Sequence, residues 1–349
     1  MARAPGWGGD RTSPRVSRTW TRRVPLGDDD EGGCVRLEAY QHGIYPRSER
    51  LVRATRDLDR GRTNEASVQD EYRRDTDELV AIQRAAGLDY LYDGQLSWQD
   101  HFRPFVEHSD GLATGALTRW FDTNSFFRAP VVTGALSIDA PGVPVAGVGG
   151  GDRLVACLPS PYAFSRAAQV DGDRDDLMLD LARDVLRPVA ARAVAAGAAL
   201  LHFEDPWLAY FGPDGDVWSA LGKSIEEVRA GLDVTVVFHT YFGDAAPFFD
   251  ELRGLPVDAV GFDLFATDTD ALRPGGDKAC LLGCFDGRSS VVERPEEIVR
   301  IVSRLLDRLE PPGCFLSSSG DLQLVSEQLA RRKVEALGEA AAALKEVVA

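Results

Sequence analysis

The chain has 349 residues, of which 44% are hydrophobic and 27% are charged, and its formal net charge at pH 7 is −16. This length is enough for one large core, and the acidic balance argues against a nucleic-acid-binding protein, which usually presents a basic face. No apolar run reaches the roughly 18 residues that a membrane span needs, so the composition favours a soluble, cytoplasmic protein with no membrane partner.

The first 33 residues differ in composition from the rest of the chain. They are rich in Arg, Gly and Pro and end in an acidic stretch. They contain no apolar segment of the kind that marks a secretory signal. We expect residues 1–33 to form a disordered or loosely ordered extension and residues 34–349 to form a single domain.

From residue 35 onward, apolar strand-like runs alternate with stretches that show helical spacing. The strand-like runs lie at 35–43, 88–94, 153–161, 198–206, 233–240, 257–265, 278–286 and 313–321. The helical stretches lie at 65–86, 174–196, 224–231, 245–253, 295–309 and 324–347. This alternation predicts a parallel α/β fold of the (β/α)8 TIM barrel type. A doubly wound open sheet is the alternative, but no glycine-rich dinucleotide-binding turn follows the first strand.

Residues 103–152 interrupt the alternation between the second and third predicted strands. They include the aromatic segment WFDTNSFFRAP and the glycine-rich segment GVGGGD. Long connections in compact domains are usually lids or binding loops. We therefore predict a long excursion that lies over the barrel mouth.

Polar side chains accumulate where the predicted strands end, and in this type of barrel the active site forms at those ends. They are His42, Tyr45, Asp93, Gln95, Asp100, Ser160, Tyr162, His202, Glu204, Asp205, His239, Tyr241, Asp244, Asp263, Asp286, Arg288, Ser317, Ser318, Ser319 and Asp321. Buried carboxylates and imidazoles are costly unless they are paired or used, so the set predicts a site at the barrel mouth. Asp244 and Asp321 are also placed to cap the helices that follow them.

The order of seven short motifs resembles the catalytic barrel of the cobalamin-independent methionine synthase family, in its short single-barrel form. The motifs are HGIYPRSERL, LDYLYDGQLSWQD, HFEDPWL, HTYFGD, VGFDLFATD, GCFDGRS and LSSSGDL. The resemblance covers nearly the whole chain after about residue 35. It implies a methyltransferase acting on homocysteine, with a folate (5-methyltetrahydropteroyl polyglutamate) or methylcobalamin as the methyl donor.

The resemblance also implies a zinc site, because the family holds a zinc ion with one histidine, two cysteines and a glutamate to activate the homocysteine thiolate. The corresponding positions here are His239, Tyr241, Asp263 and Ser319. Both thiolates are therefore missing, and a phenol and a hydroxyl are poor zinc ligands near neutral pH. We expect no metal and no other cofactor, with zinc disfavoured.

The amino-acid pocket departs from the family pattern as well. The serine of the first turn corresponds to Ile44 or Tyr45. The glutamate that holds the substrate ammonium group corresponds to Gln95, and a later aspartate corresponds to Glu204. Because Gln95 offers no charge to an ammonium group, homocysteine is not the expected substrate.

Two sets of candidate site residues follow from these patterns. The expected catalytic residues are His239, Tyr241, Glu204, Asp205, Asp263 and Asp286. Their carboxylates are suited to general acid or base catalysis, and the histidine and phenol are suited to donating to a developing oxyanion. The expected substrate-binding residues are Tyr45, Gln95, Asp100, Trp98, Arg128, Tyr162, Arg288 and Ser319. The two arginines are suited to a substrate carboxylate or phosphate.

These features predict an enzyme that has left zinc–thiolate chemistry for metal-free acid–base or group-transfer chemistry on a small polar or acidic substrate. Three alternatives stay open. They are a zinc-dependent methyltransferase to a thiol acceptor, a non-catalytic ligand-binding barrel, and a metal-free decarboxylase of the superfamily that includes uroporphyrinogen decarboxylase.

Overall fold

A computed structural model describes residues 35–143 and 151–348 of the chain. The predicted extension at 1–33 and most of the segment GVGGGD lie outside the described residues.

In chain order the strands are β1 (Arg36–Ala39), β2 (Ser109–Arg119), β3 (Phe126–Ile138), β4 (Leu154–Pro159), β5 (Ala198–Asp205), β6 (Thr235–Thr240), β7 (Ala259–Asp263), β8 (Ala279–Phe285) and β9 (Gly313–Ser318). The helices are α1 (Glu49–Asp59), α2 (Glu65–Ala85), α3 (Arg103–Glu107), α4 (Pro161–Ala167), α5 (Arg174–Leu181), α6 (Arg187–Ala195), α7 (Pro206–Phe211), α8 (Trp218–Arg229), α9 (Phe249–Gly254), α10 (Pro295–Leu309) and α11 (Glu327–Val348). Within these ranges, no helix is both long enough and apolar enough to cross a bilayer.

Seven of the strands form one parallel sheet in the order β1-β9-β8-β7-β6-β5-β4. Strands β5 and β6 pair in parallel with Glu204 opposite His239, and β1 pairs with β9 with Ala39 opposite Leu316. The carboxyl ends of all seven strands therefore meet at one end of the sheet. This arrangement confirms the predicted α/β fold of the TIM barrel type.

The position between β1 and β4 is filled by residues 88–94, which make isolated contacts with both strands. Asp89 N donates to Ala39 O at 2.8 Å on one side, and Leu91 N donates to Arg153 O at 2.9 Å on the other. Leu91 forms only an isolated bridge with β4. The prediction of a regular strand here is therefore wrong, although the segment does join the two end strands of the sheet.

A glutamine side chain explains why this segment does not continue as a strand. Gln83, on α2, donates through Nε2 to Tyr92 O at 2.8 Å and accepts through Oε1 from Tyr92 N at 3.1 Å. Both backbone groups of Tyr92 are thereby satisfied without a neighbouring strand.

The predicted helix at 174–196 is present, but it is not α-helical throughout. A π-helical turn, Ala182–Leu186, separates α5 from α6. Pro188 follows in the first turn of α6. Because proline has no N–H to donate to the preceding turn, a local change of helix type at this point is expected.

The predicted excursion forms α3 and an antiparallel hairpin of β2 and β3. We define residues 120–125, which join these strands, as the hairpin tip. Trp120 in the tip stacks on His101 with a centroid separation of 4.5 Å, and Phe121 lies 4.7 Å from Trp207, which follows β5 directly. The hairpin tip therefore covers the carboxyl ends of the barrel strands, as predicted.

The glycine of HTYFGD is required by a close backbone approach. A Cβ atom at Gly243 would overlap the carbonyl of Ala209 on α7. We expect Gly243→Ala to lower the free energy of unfolding by about 1–3 kcal/mol, because the backbones must move apart to admit the methyl group. Urea unfolding followed by circular dichroism measures this change. The matched control is Gly254→Ala, where nothing lies within 4 Å of the added atom; equal losses in the two variants would contradict the explanation.

Candidate active site

Three histidines meet at the carboxyl ends of the barrel strands. His42 follows β1, His202 lies on β5 and His239 lies on β6, and each is fully buried. One ring nitrogen from each histidine lies within 4.8 Å of the others. The His239 ring stands nearly perpendicular to the other two, at centroid separations of 4.9 Å from His42 and 5.3 Å from His202. We call these three residues the histidine cluster.

A chain of buried charged groups runs from the histidine cluster to the far side of the barrel mouth. His42 Nδ1 lies 2.8 Å from Glu204 Oε1, and the second oxygen of Glu204 lies 3.3 Å from His101 Nδ1. His101 Nε2 in turn lies 3.0 Å from Asp321 Oδ2. We call Asp321, His101, Glu204 and His42 the charge relay. Because imidazoles alternate with carboxylates along it, each carboxylate has a partner that can carry the opposite charge.

The pKa values of the two central groups of the charge relay move in opposite directions. Burial raises the pKa of Glu204, but the neighbouring imidazoles of His101 and His42 outweigh it and hold the pKa at about 2. Burial lowers the pKa of His101, but the charge and hydrogen bond of Asp321, together with Glu204, raise it to about 10. At neutral pH Glu204 and His101 are therefore both ionised, as a carboxylate beside an imidazolium.

Several polar atoms in and beside the histidine cluster have no partner among the described residues. These atoms are His202 Nε2, both ring nitrogens of His239, and the Tyr241 hydroxyl. The other nitrogen of His202, Nδ1, lies 2.8 Å from the Tyr40 hydroxyl. A buried polar group without a partner costs about 1–3 kcal/mol, so the arrangement points to a bound molecule that completes these hydrogen bonds.

Burial keeps these three side chains uncharged. It lowers the pKa values of His202 and His239 well below the usual range, and repulsion from the neighbouring His42 lowers them further. Burial also raises the pKa of Tyr241 well above its usual range, and the charges of Asp321 and Glu204 act in the same direction. The side chains therefore present neutral imidazoles and a protonated phenol.

The four positions that the family resemblance implies as zinc ligands, His239, Tyr241, Asp263 and Ser319, offer an imidazole, a phenol, a carboxyl group and a hydroxyl. Asp263 accepts from the backbone N–H of Phe265 at 2.8 Å and from that of Phe242 at 3.4 Å. Ser319 Oγ accepts from Gly287 N at 3.3 Å. The phenol of Tyr241 and the hydroxyl of Ser319 are poor zinc ligands when protonated.

Within the histidine cluster, two of the three rings are not oriented to converge on one metal ion, although one nitrogen from each ring lies within 4.8 Å of the others. The rings of His42 and His202 are stacked, with centroids 4.2 Å apart and planes 16° apart. Imidazole binds a metal in the plane of its ring, and two stacked, nearly parallel planes do not converge on one ion. His42 also has both nitrogens engaged, since Nε2 lies 3.0 Å from Ser318 O in addition to the contact with Glu204.

Of the six predicted catalytic residues, Glu204, His239 and Tyr241 come together. Glu204 and His239 are register partners, and the His239 and Tyr241 rings are 5.2 Å apart. Asp286 lies apart from them and accepts from Arg288 N at 2.9 Å in its own turn. The pKa of Asp263 is raised to about 6, mainly by burial.

Asp205, the next residue after Glu204, has a different environment. It accepts from the Ser160 hydroxyl and caps α7 by accepting from Leu208 N at 3.0 Å. Burial raises its pKa to about 7, although the Ser160 hydrogen bond acts in the opposite direction. Asp205 thus has the hydrogen bonds of a helix cap, and its charge is much weaker at neutral pH than that of Glu204.

The predicted substrate-binding residues are spread over several places. Asp100 accepts from the backbone N–H groups of Phe102 and Arg103, just before and at the start of α3, and from that of Arg128 at 3.0 Å. Arg128 itself is exposed on the hairpin, where its side chain contacts Gly115 O at 3.5 Å. Arg288 lies at the barrel mouth, 3.5 Å from Asp122 in the hairpin tip.

The other residues of that set are buried beside the barrel mouth. Gln95 Nε2 donates to Cys157 O at 3.0 Å, and Trp98 packs edge-on against Phe105. Tyr45 and Tyr162 are buried, at 4% and 3% exposure. Neither residue belongs to the histidine cluster or the charge relay.

Sequence reasoning did not select His42, His202, His101 or Asp321. Three of them were visible as polar residues at predicted strand ends, but the family pattern directed attention to the zinc positions. Asp321 does not cap the following turn; it accepts from Ile44 N at 2.8 Å and contacts His101 instead. His101 lies at the start of the excursion, where no local pattern marks it.

Comparison with known proteins identifies relatives over most of the chain. Residues 41–343 match the protein family described as "Cobalamin-independent synthase, Catalytic domain". Methionine synthase of Sulfolobus acidocaldarius is 24% identical over 302 residues, which cover 84% of this chain and 87% of that protein. The 5-methyltetrahydropteroyltriglutamate–homocysteine methyltransferase of Herpetosiphon aurantiacus is 25% identical over 226 residues, which cover 61% of this chain and 29% of that protein.

Two solved structures are similar in fold. A B12-independent methionine synthase from a Shewanella species, in complex with selenomethionine, has a TM-score of 0.68 at 18% identity and covers 82% of this chain and 91% of its own. A putative vitamin-B12 independent methionine synthase from Listeria monocytogenes has a TM-score of 0.67 at 16% identity and covers 90% of this chain and 99% of its own. At these identities the likeness is one of fold.

Proposed function

Because the chain belongs to the family of the cobalamin-independent synthase catalytic domain, we propose that it is a group-transfer enzyme in which the protein, rather than a zinc ion, activates the acceptor. The observation that carries the proposal is the set of buried, unpartnered polar atoms on His202, His239 and Tyr241 beside the charge relay. These atoms are those that an acceptor molecule would engage.

In the proposed reaction His239 is the general base. Its ring is neutral, and neither nitrogen has a hydrogen-bond partner among the described residues, so one of them can accept a proton from the acceptor. The Tyr241 hydroxyl is protonated and can donate to an oxygen on which negative charge develops. The ionised Glu204, held beside His42, favours the positive charge that the cluster gains.

The group transferred is a methyl group by analogy with the relatives. The acceptor's X–H bond breaks as its proton passes to His239, and the new bond between the acceptor and the methyl carbon forms as the donor's nitrogen–carbon bond breaks. The proton then passes to the departing nitrogen, so the reaction is balanced without a further reactant. The acceptor in this proposal is a small oxygen, nitrogen or carbon acid. An amino acid such as homocysteine is not expected, because Gln95 gives its ammonium group no counter-charge.

A labelling experiment with metal analysis tests this proposal. The protein is incubated with 5-methyltetrahydropteroyltriglutamate carrying a deuterated methyl group, with homocysteine or with a panel of oxygen, nitrogen and carbon acids, and products are read by mass spectrometry. We expect no labelled methionine, a labelled product from a non-thiol acceptor, no effect of a chelator, and loss of the product in His239→Asn.

One alternative keeps a specific observation in its favour. The nitrogens of the histidine cluster lie within 4.8 Å of one another, which leaves a zinc-dependent methyl transfer to a thiol as the second candidate. Stoichiometric zinc in the purified protein together with labelled methionine would establish that candidate and refute the metal-free reaction.

A further inference from the structure

The charge relay is covered by a lid that rests on one of its members. Trp120 in the hairpin tip stacks on the His101 ring, with centroids 4.5 Å apart and planes 21° apart. The edges of the same ring face Glu204 and Asp321. His101 is thus held from above by an indole and from two sides by carboxylates, at 2% exposure.

The two carboxylates that His101 joins come from distant parts of the barrel. Glu204 lies on β5 and Asp321 follows β9, and three strands separate β5 from β9 in the sheet order. Asp321 is fixed independently, because its other oxygen accepts from Ile44 N at 2.8 Å. His101 therefore spans the barrel mouth between a fixed anchor and the carboxylate that faces His42.

The orientation of Glu204 depends on this bridge. One oxygen of Glu204 is hydrogen-bonded to His42, and the other lies 3.3 Å from His101 Nδ1, which is an ion-pair distance without the geometry of a hydrogen bond. Without His101, the second oxygen would be a buried charge with no partner, which is strongly unfavourable. The carboxylate would then rotate or take up a proton, and in either case it would no longer serve the histidine cluster as an anion.

We propose that His101 is a positioning residue: when the hairpin tip closes, Trp120 presses His101 into place between Asp321 and Glu204, and this bridge orients Glu204 toward His42. The inference rests on the proposed function only for its catalytic consequence. The reactive arrangement is then complete only in the closed state, when water is excluded from the mouth.

Contacts elsewhere in the hairpin tip fit a lid that closes in a defined position. Phe121 and Phe242 both have positive φ angles, 52° and 69°, and their rings lie 5.7 Å apart. Bulky side chains rarely adopt this conformation, and it persists where surrounding contacts enforce it. The partly exposed ion pair of Asp122 and Arg288 joins the tip to the loop after β8.

The test uses two variants that disturb opposite sides of the contact, in ligand-free protein. His101→Asn removes the bridge, and Trp120→Leu removes the cover while leaving His101 in place. The chain has five histidines, so single substitutions assign every imidazole in long-range proton–nitrogen NMR spectra. Hydrogen–deuterium exchange of the peptide spanning the hairpin tip reports lid opening.

We expect both variants to shift the His42 ring resonances, and we expect Trp120→Leu to shift those of His101 as well. We also expect exchange in the hairpin tip to be faster by about tenfold or more in each variant. The matched control is His108→Asn, because His108 lies on the same excursion but outside the charge relay. We expect this variant to leave the His42 ring resonances unchanged. If His101→Asn does not fold, Trp120→Leu alone decides the question.

Either of two results would overturn the proposal: a folded His101→Asn with unchanged His42 resonances, or Trp120→Leu with unchanged His101 and His42 resonances. Neither measurement depends on methyl transfer. A failure of the lid and bridge can therefore be distinguished from a failure of the proposed reaction.

Discussion

Replacing Glu204 with Gln is expected to lower the free energy of unfolding at pH 7 by about 3–5 kcal/mol, the usual cost of removing one partner from a buried ion pair. The carboxylate is ionised, with its pKa at about 2, and it contacts His42 and His101 with separate oxygens. Glutamine has one oxygen and an NH2 group, so one of the two imidazoles meets a donor instead of an acceptor. Urea unfolding at pH 7 measures the change.

The neighbouring carboxyl group provides a matched control. Asp205 is as deeply buried as Glu204 and follows it on β5, but burial raises its pKa to about 7. Asp205→Asn removes only a partial charge and keeps an oxygen for Leu208 N, while its NH2 group replaces the oxygen to which the Ser160 hydroxyl donates and that hydroxyl must turn to accept instead, so we expect a loss of about 1 kcal/mol. Similar losses for the two variants would show that Glu204 is not held by the charge relay.

The barrel was predictable because its signals are local. Each of the other seven strand-like runs contains a strand, since a buried parallel strand is an apolar run of limited length. The exception is instructive: residues 88–94 have the composition of a strand, but Gln83 of α2 takes the backbone hydrogen bonds of Tyr92. A single polar side chain on α2 therefore prevents a regular strand at residues 88–94, and no pattern within that segment predicts this.

The candidate site was only partly predictable, because its contacts join distant parts of the chain. Glu204, His239 and Tyr241 could be selected since they lie at strand ends and in recognisable motifs. His101 and Asp321 meet across 220 positions of sequence, and their contact depends on how the excursion folds back over the mouth. The resemblance to the family predicted the barrel, but it drew the choice of residues to the positions implied as zinc ligands and not to His101 or Asp321.

A buried imidazolium explains how the barrel mouth holds the carboxyl groups of Glu204 and Asp321 on either side of one ring. Glu204 and Asp321 are nearly inaccessible to water, with exposures of 2% and 0%. Two such carboxylates would repel each other and become protonated if nothing lay between them. His101 supplies a positive charge between them, and this charge comes from the start of the excursion that covers the barrel mouth.

The positive charge of His101 makes the free energy of unfolding decrease as the pH rises into the alkaline range. The pKa of His101 is raised from an ordinary 6.5 to about 10, chiefly because Asp321 and Glu204 outweigh the effect of burial. A raised pKa means that the stabilisation is fully present below about pH 6.5 and is lost as the pH rises toward 10. We expect the free energy of unfolding that depends on His101 to fall by a few kcal/mol across this range.

The measurement is the difference in unfolding free energy between the wild type and His101→Gln, from urea titrations at half-unit intervals from pH 6 to pH 10. Taking the difference removes the titration of tyrosines and lysines, which both proteins share. We expect a large difference at pH 6 that shrinks steadily by pH 10, and we expect no such slope for His108→Gln. A difference that stays constant with pH would mean that His101 packs in the mouth as a neutral ring, and the charge relay would then lack its central cation.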